Sequence, residues 1–178
     1  MSSSDLERMN REGAEAVKAV RATSTKLSRP DQAMMLEVAQ GGIMQLELSR
    51  MAVQKATSPE VKRIAQAEVE EQTLLANKLK EIAQAKGVSM PNSSDGKATS
   101  IMQRMGRLSG AEFDRMYLQE SGVRGHEMLD KVMSRVESEA SDDGLKSLAA
   151  AAHPLVRTHL QVAQQMLDTM GGSGRSGR

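Results

Sequence analysis

The chain has 178 residues, enough for one domain with a substantial buried core. Its 24 Lys and Arg nearly balance 23 Asp and Glu, and a single Phe and a single Tyr leave no platform for stacking bases, so a dedicated nucleic-acid binder is excluded. The absence of Cys excludes disulfides, thiolate metal sites and cysteine nucleophiles, and no segment is apolar for long enough to span a bilayer.

Fourteen Met, with many Ala and Leu, replace the missing aromatics with straight-chain helix formers, and alternating β patterns are lacking. The expected fold is all-α: a ferritin-like four-helix bundle over 30–170. An amphipathic helix and linker over 1–29 precede it, and a disordered tail over 171–178 follows. The opening Met1-Ser2-Ser3-Ser4-Asp5 has no basic or apolar leader character, so no export signal is expected in the chain as given. A trimmed leader would instead place the protein in the periplasm or cell envelope.

The first segment, about 4–26, carries Leu6, Met9, Gly13, Val17 and Val20 on one face and reads as a helix packed outside the bundle. The first long helix starts near Pro30-Asp31 and runs to about 56, with Gly41-Gly42 interrupting it. Those glycines suit a close helix approach or a bend; no strand precedes them and no Lys-Ser/Thr follows, so they are not a phosphate loop.

Ser58-Pro59-Glu60 restarts the chain, with Ser58 as N-cap, and Gly87 stops the second helix after Lys86. The inward series of this helix is Val61, Ala65, Glu68, Gln72, Leu75, Leu79 and Ile82. A long connection over 88–108 includes a short helix at about 99–108. Lys97, Arg104 and Arg107 make it locally basic, as a solvated face would be.

Ser109-Gly110-Ala111-Glu112 reads as a capping box opening a third helix to about 140. The fourth spans about 142–170, with a kink expected at Pro154. The inward series are Leu118, Gly122, His126, Leu129, Met133, Val136 on the third helix, and Leu145, Leu148, Ala152, Leu155, His159, Val162, Met166 on the fourth.

Two imidazoles on apolar stripes are the main chemical signal. His126, His159 and a carboxylate from Glu68 or Glu47 form a candidate ligand set for one transition metal (zinc, iron or manganese). Gln72 and Gln45 are neighbouring polar residues. Whether Gln45 or Glu47 points inward depends on helix rotation. The bland alternative is a pair of core histidines satisfied by Glu, Gln or backbone carbonyls, with no cofactor. No E-x-x-H turn occurs anywhere, so the di-iron signature is missing. His153 is expected at the surface, Glu127 points about a hundred degrees from His126, and the Met pairs 34–35 and 102/105 read as core filler.

The run Gly42-Ile43-Met44-Gln45-Leu46-Glu47-Leu48-Ser49-Arg50-Met51-Ala52, with Ser58-Pro59-Glu60-Val61-Lys62, Phe113-Asp114-Arg115-Met116-Tyr117-Leu118, His126 and Pro154-Leu155-Val156-Arg157-Thr158-His159-Leu160, resembles the bacterial domain-of-unknown-function family 4142. The resemblance covers about 31–167. It implies a ferritin-like fold and, for most members, export to the periplasm or envelope. Members often carry an acid where this chain has Gln45 and a His where it has Gln72, and both amides are poor metal ligands. The resemblance implies no agreed activity.

Two functions therefore compete: a non-enzymatic, envelope- or stress-associated bundle, and a metal-binding bundle built on His126, His159 and a carboxylate. A weaker third reading puts residues 4–26 on a membrane surface. Helix faces also leave room for a homo-oligomer.

Overall fold

The sequence places Ser ahead of Pro at two points, and both become helix starts. Ser28 caps α2 (Arg29–Lys55) by accepting from Asp31 N at 3.2 Å, and Ser58 caps α3 (Pro59–Ala85) by accepting from Val61 N at 3.3 Å. The computed structural model describes residues 3–172, and every regular element among them is helical. Before these two helices lies α1 (Ser3–Ala19); after them come α4 (Gly96–Gly106), α5 (Gly110–Tyr117), a π-helical segment (Leu118–Gly125), α6 (His126–Glu139) and α7 (Asp143–Gly172). α5, the π segment and α6 follow without a break and form the third long helix of the bundle.

Side-chain contacts fix the topology. α2 runs antiparallel to the third helix, because Thr57 meets Asp114, Ser49 meets Tyr117 and Gln45 meets Ser121. α3 likewise runs antiparallel to α7, with Glu68 on His159 at one level and Lys86 on Asp142, at the start of α7, at another. The residues from 86 to 109 must therefore return along the length of the bundle, a crossover that loop length alone left open. Lys55 Nζ donating to Gly106 O at 2.6 Å ties the end of α4 beside the end of α2.

Several sequence expectations need correction. α1 stops at Ala19, short of 26, and it shares the core: Val17 and Val20 are buried with Leu79 and Leu148. Gly41-Gly42 leaves α2 unbroken and serves a close approach, since a Cβ on Gly41 would stand 2.7 Å from Leu129 Cδ2. Ser109 does occupy the N-cap position, but its side chain makes no capping bond. The chain enters α5 through Gly110 at φ 58°, a left-handed turn that takes the Ser109 hydroxyl away from the first-turn N–H groups. α7 continues through Pro154 and on to Gly172, so the first two residues of the expected tail are helical. The rest of that tail lies outside the described residues.

The core divides into two apolar clusters. One gathers Met35, Leu79, Ile82, Leu129, Met133 and Leu148; the other gathers Leu48, Ile64, Phe113, Tyr117, Leu118 and Ala163. Val162, expected in the interior, is half-buried, and Ala163 takes the inward position. Between the two clusters lies a layer of buried polar side chains from all four long helices: Gln45, Glu68, Glu71, Gln72, His126 and His159. Interrupting a core this way costs free energy unless every polar atom finds a partner.

Candidate metal centre

Each residue of the polar layer is aimed by its helix. Glu68 and Glu71 stand one turn apart on α3, so both carboxylates reach the same level of the interior. His126 opens α6, and His159 sits deep in α7; their ring centroids are 5.8 Å apart with the planes at 67°. Glu68 Oε1 lies 2.8 Å from His126 Nε2 and also meets His159 Nδ1 directly. Glu71 Oε2 is 3.1 Å from His159 Nδ1. Ligand-type atoms of Glu68, His126 and His159 all fall within 4.8 Å of one another, and all three side chains are 1 % exposed or less.

The outer ring nitrogens are already occupied. His126 Nδ1 is 2.9 Å from Ser121 O, so we assign its proton to Nδ1, donating to that carbonyl. Gln45 supports this contact: its Nε2 donates to Ser121 O at 3.0 Å and stands 3.0 Å from the ring nitrogen, and its Oε1 accepts from Ser121 Oγ at 2.9 Å. His159 Nε2–H donates to Asn10 Oδ1 at 2.9 Å, so α1 closes the site from outside. Both acceptors are neutral oxygens. In the neutral rings they fix the tautomers that turn the lone pairs of His126 Nε2 and His159 Nδ1 toward the carboxylates, the arrangement that outer partners impose on metal-binding histidines.

The inner atoms are only partly bonded: His159 Nδ1 is hydrogen-bonded to Glu68 Oε1, and the others are left over. His126 Nε2, Glu68 Oε2 and both Glu71 oxygens have no hydrogen-bond partner among the described residues, although Nε2 lies so near Glu68 Oε1. Buried ligand-type atoms that crowd together with four of them unpartnered fit convergence on a shared cation.

The electrostatics are correspondingly perturbed. Burial alone would raise the Glu68 carboxyl, but the facing His126 and His159 rings outweigh it and hold it well below the usual carboxylate range. Burial, reinforced by the Glu68 charge, pushes Glu71 up to about 7. For His159, burial works against protonation, yet Glu68 and Glu71 overcome it and raise the ring to about 9; His126 is raised for the same reason, chiefly by Glu68. Burial also raises the Tyr117 hydroxyl, which shares a 3.0 Å hydrogen bond with Ser49.

Of the residues singled out from sequence, His126, His159 and Glu68 are brought together. Glu47 is not: it is half-buried and absent from the cluster, because a residue two positions after the inward-facing Gln45 points about 200° away around the helix. Gln45 buttresses His126, and Gln72 faces α2, its Oε1 3.2 Å from where a Gly42 Cβ would stand. Glu71, Asn10 and Ser121 were missed. Asn10 had a signal, since it lies between Leu6 and Gly13 on the inward face of α1. His153 is the reverse error: expected exposed, it is 5 % exposed, with Nδ1 2.7 Å from Glu137 Oε1 and Nε2 2.8 Å from Asp130 Oδ1. Those carboxylates on α6 cover it, which periodicity along α7 does not reveal.

The architecture thus defines an all-α bundle with a buried His–His–Glu cluster able to hold a metal ion. The family described as "Domain of unknown function (DUF4142)" matches residues 16–166, and the chain belongs to it. No curated protein and no solved structure matches the chain. Among the described residues, no helix is long and apolar enough to cross a membrane.

Proposed function

We propose that this protein is a non-enzymatic metal-binding bundle that holds one divalent transition ion between its two core clusters. His126 Nε2, His159 Nδ1 and Glu68 would be the protein ligands, with a Glu71 oxygen beside them. Imidazole plus carboxylate suits zinc, iron or manganese, and the absence of thiolates disfavours softer ions. The reading rests on one observation: the outer nitrogen of each ring is committed to a neutral oxygen and both inner nitrogens face the Glu68 and Glu71 carboxylates, where His126 Nε2, Glu68 Oε2 and both Glu71 oxygens are buried with no hydrogen-bond partner among the described residues.

Charge balance supports it. A divalent cation neutralises Glu68 and Glu71 with both rings neutral, whereas without an ion the rings must each take a second proton to compensate two buried carboxylates. Closure supports the non-enzymatic part: with its ligands at 1 % exposure or less and α1 over His159, the site resembles structural metal sites rather than open catalytic ones. The single long crossover is the connection that ferritin-like bundles use, and such bundles build metal sites from inward-facing side chains. Here no E-x-x-H pair exists, so the reading is one ion and not two.

Elemental analysis of protein purified without chelators tests this. Stoichiometric zinc, iron or manganese, lost in His126→Gln, is the expected result. A chain that holds no metal even when these ions are supplied would leave a buried ion-pair network and end the proposal.

A further inference from the structure

Beside the polar layer, and sharing Asn10 and Glu71 with it, a cavity of about 500 Å³ opens between α1 and α3. Its walls are apolar, formed by Leu6, Ala14, Leu74, Leu75 and Leu155, and its polar lining includes Asn10 and Glu71. The volume falls in the range of small-molecule sites. Around it, Arg11 and Arg63 are set against Glu7 and Glu70, so these exposed charges cancel and select no sign of ligand.

The carboxylate of Glu71 does select one. Glu71 is 8 % exposed, and neither of its oxygens accepts a hydrogen bond from any described residue. Even if one oxygen is engaged by the metal centre, the second is left buried and in need of a donor. A buried carboxylate without a donor is costly, and an incoming cationic N–H group on an aliphatic stem would satisfy it while covering the leucine walls.

We propose that the cavity between α1 and α3 is a binding site for a small single-chain amphiphile with a cationic, hydrogen-bond-donating head, a primary alkylamine, whose head meets Glu71. It stands on Glu71 and the cavity walls, goes beyond the metal reading, and needs no ion to be present. Because the same Glu71 lies 3.1 Å from His159 Nδ1, occupancy of the cavity would be sensed at the polar layer.

Calorimetric titration of the full chain with hexylammonium, and with hexanoate as the charge-reversed control, decides the matter; metal content is measured on the same samples. Saturable binding of hexylammonium with no binding of hexanoate is expected. Glu71→Gln should weaken it roughly tenfold or more, because a charge-assisted bond is lost. Ala67→Phe, which fills the cavity from α3, should abolish it while leaving metal content unchanged. Equal affinity for hexanoate, undiminished binding in Ala67→Phe, or no binding to folded metal-loaded protein would overturn the proposal. Protein that takes up no metal even when zinc, iron or manganese is supplied, yet binds hexylammonium through Glu71, would sink the metal reading and uphold this one.

Discussion

Replacing His159 with Gln, and separately with Leu, distinguishes a metal centre from a hydrogen-bonded core. The ring is fully buried, donates through Nε2 to Asn10 Oδ1 at 2.9 Å, and turns Nδ1 toward Glu68 and Glu71. An ion present at a hundred times its dissociation constant adds about 2.7 kcal/mol to the folded state. For a domain of this size each kcal/mol moves the melting temperature by about 2–4 °C, so chelation should lower the wild-type Tm by roughly 5–10 °C. His159→Gln keeps a polar partner for Asn10 but removes a ligand, so its Tm should no longer respond to chelator. His159→Leu also strands the Asn10 carbonyl and leaves the Glu68 carboxylate short of a partner, with a further loss of about 3–5 kcal/mol. Thermal unfolding with and without chelator, on all three proteins after zinc loading, provides the comparison. The reasoning is refuted if the wild-type Tm ignores the chelator while His159→Gln stays near wild-type stability.

The remaining predictions concern the frame that holds the site. Ser109→Ala should leave the urea midpoint almost unchanged, since the hydroxyl makes no capping bond, whereas Asp114→Ala should cost about 2 kcal/mol: the buried Asp114 carboxylate accepts from Thr57 N at 3.0 Å, Ser58 N at 2.8 Å and Thr57 Oγ1 at 2.8 Å. Gly41→Ala should be nearly neutral in the same assay, because the gain in helix propensity, about 1 kcal/mol, offsets the cost of moving the Leu129 methyl that its Cβ would meet at 2.7 Å. Gly122→Ala should destabilise by about 1–3 kcal/mol, because its Cβ would stand 2.6 Å from Ala163 Cβ and only the helices can yield. Burial would raise the Asp142 carboxyl, but Lys86 Nζ at 2.5 Å, Leu145 N and Thr23 outweigh it and lower it below its ordinary 3.8. Its stabilising contribution is therefore complete above that value and lost as pH falls through the lower folded one, so unfolding measured from about pH 6 to about pH 2 should show the loss, beginning below about pH 4. Lys86→Met should be less stable at pH 6 and show a smaller acid drop.

The order and type of the helices were legible along the chain itself. Pro30 in a first helical turn and Ser58 before Pro59 carry their own start signals, and spacings of three and four put Glu68, His126 and His159 on inward faces, because each fact concerns one helix and its immediate neighbours. What periodicity cannot supply is the rotation and axial register of one helix against another. Only packing decided that Gln45 rather than Glu47 enters the layer, that Glu71 reaches His159, that Asn10 on α1 closes the ring from outside, and that carboxylates on α6 bury His153. The same limit hid the left-handed entry at Gly110 and the π-helical segment that brings Ser121 O to His126. A local repeat fixes an angle about one axis; a site built from four helices needs their mutual positions, which are set by the fit of side chains far apart in the chain.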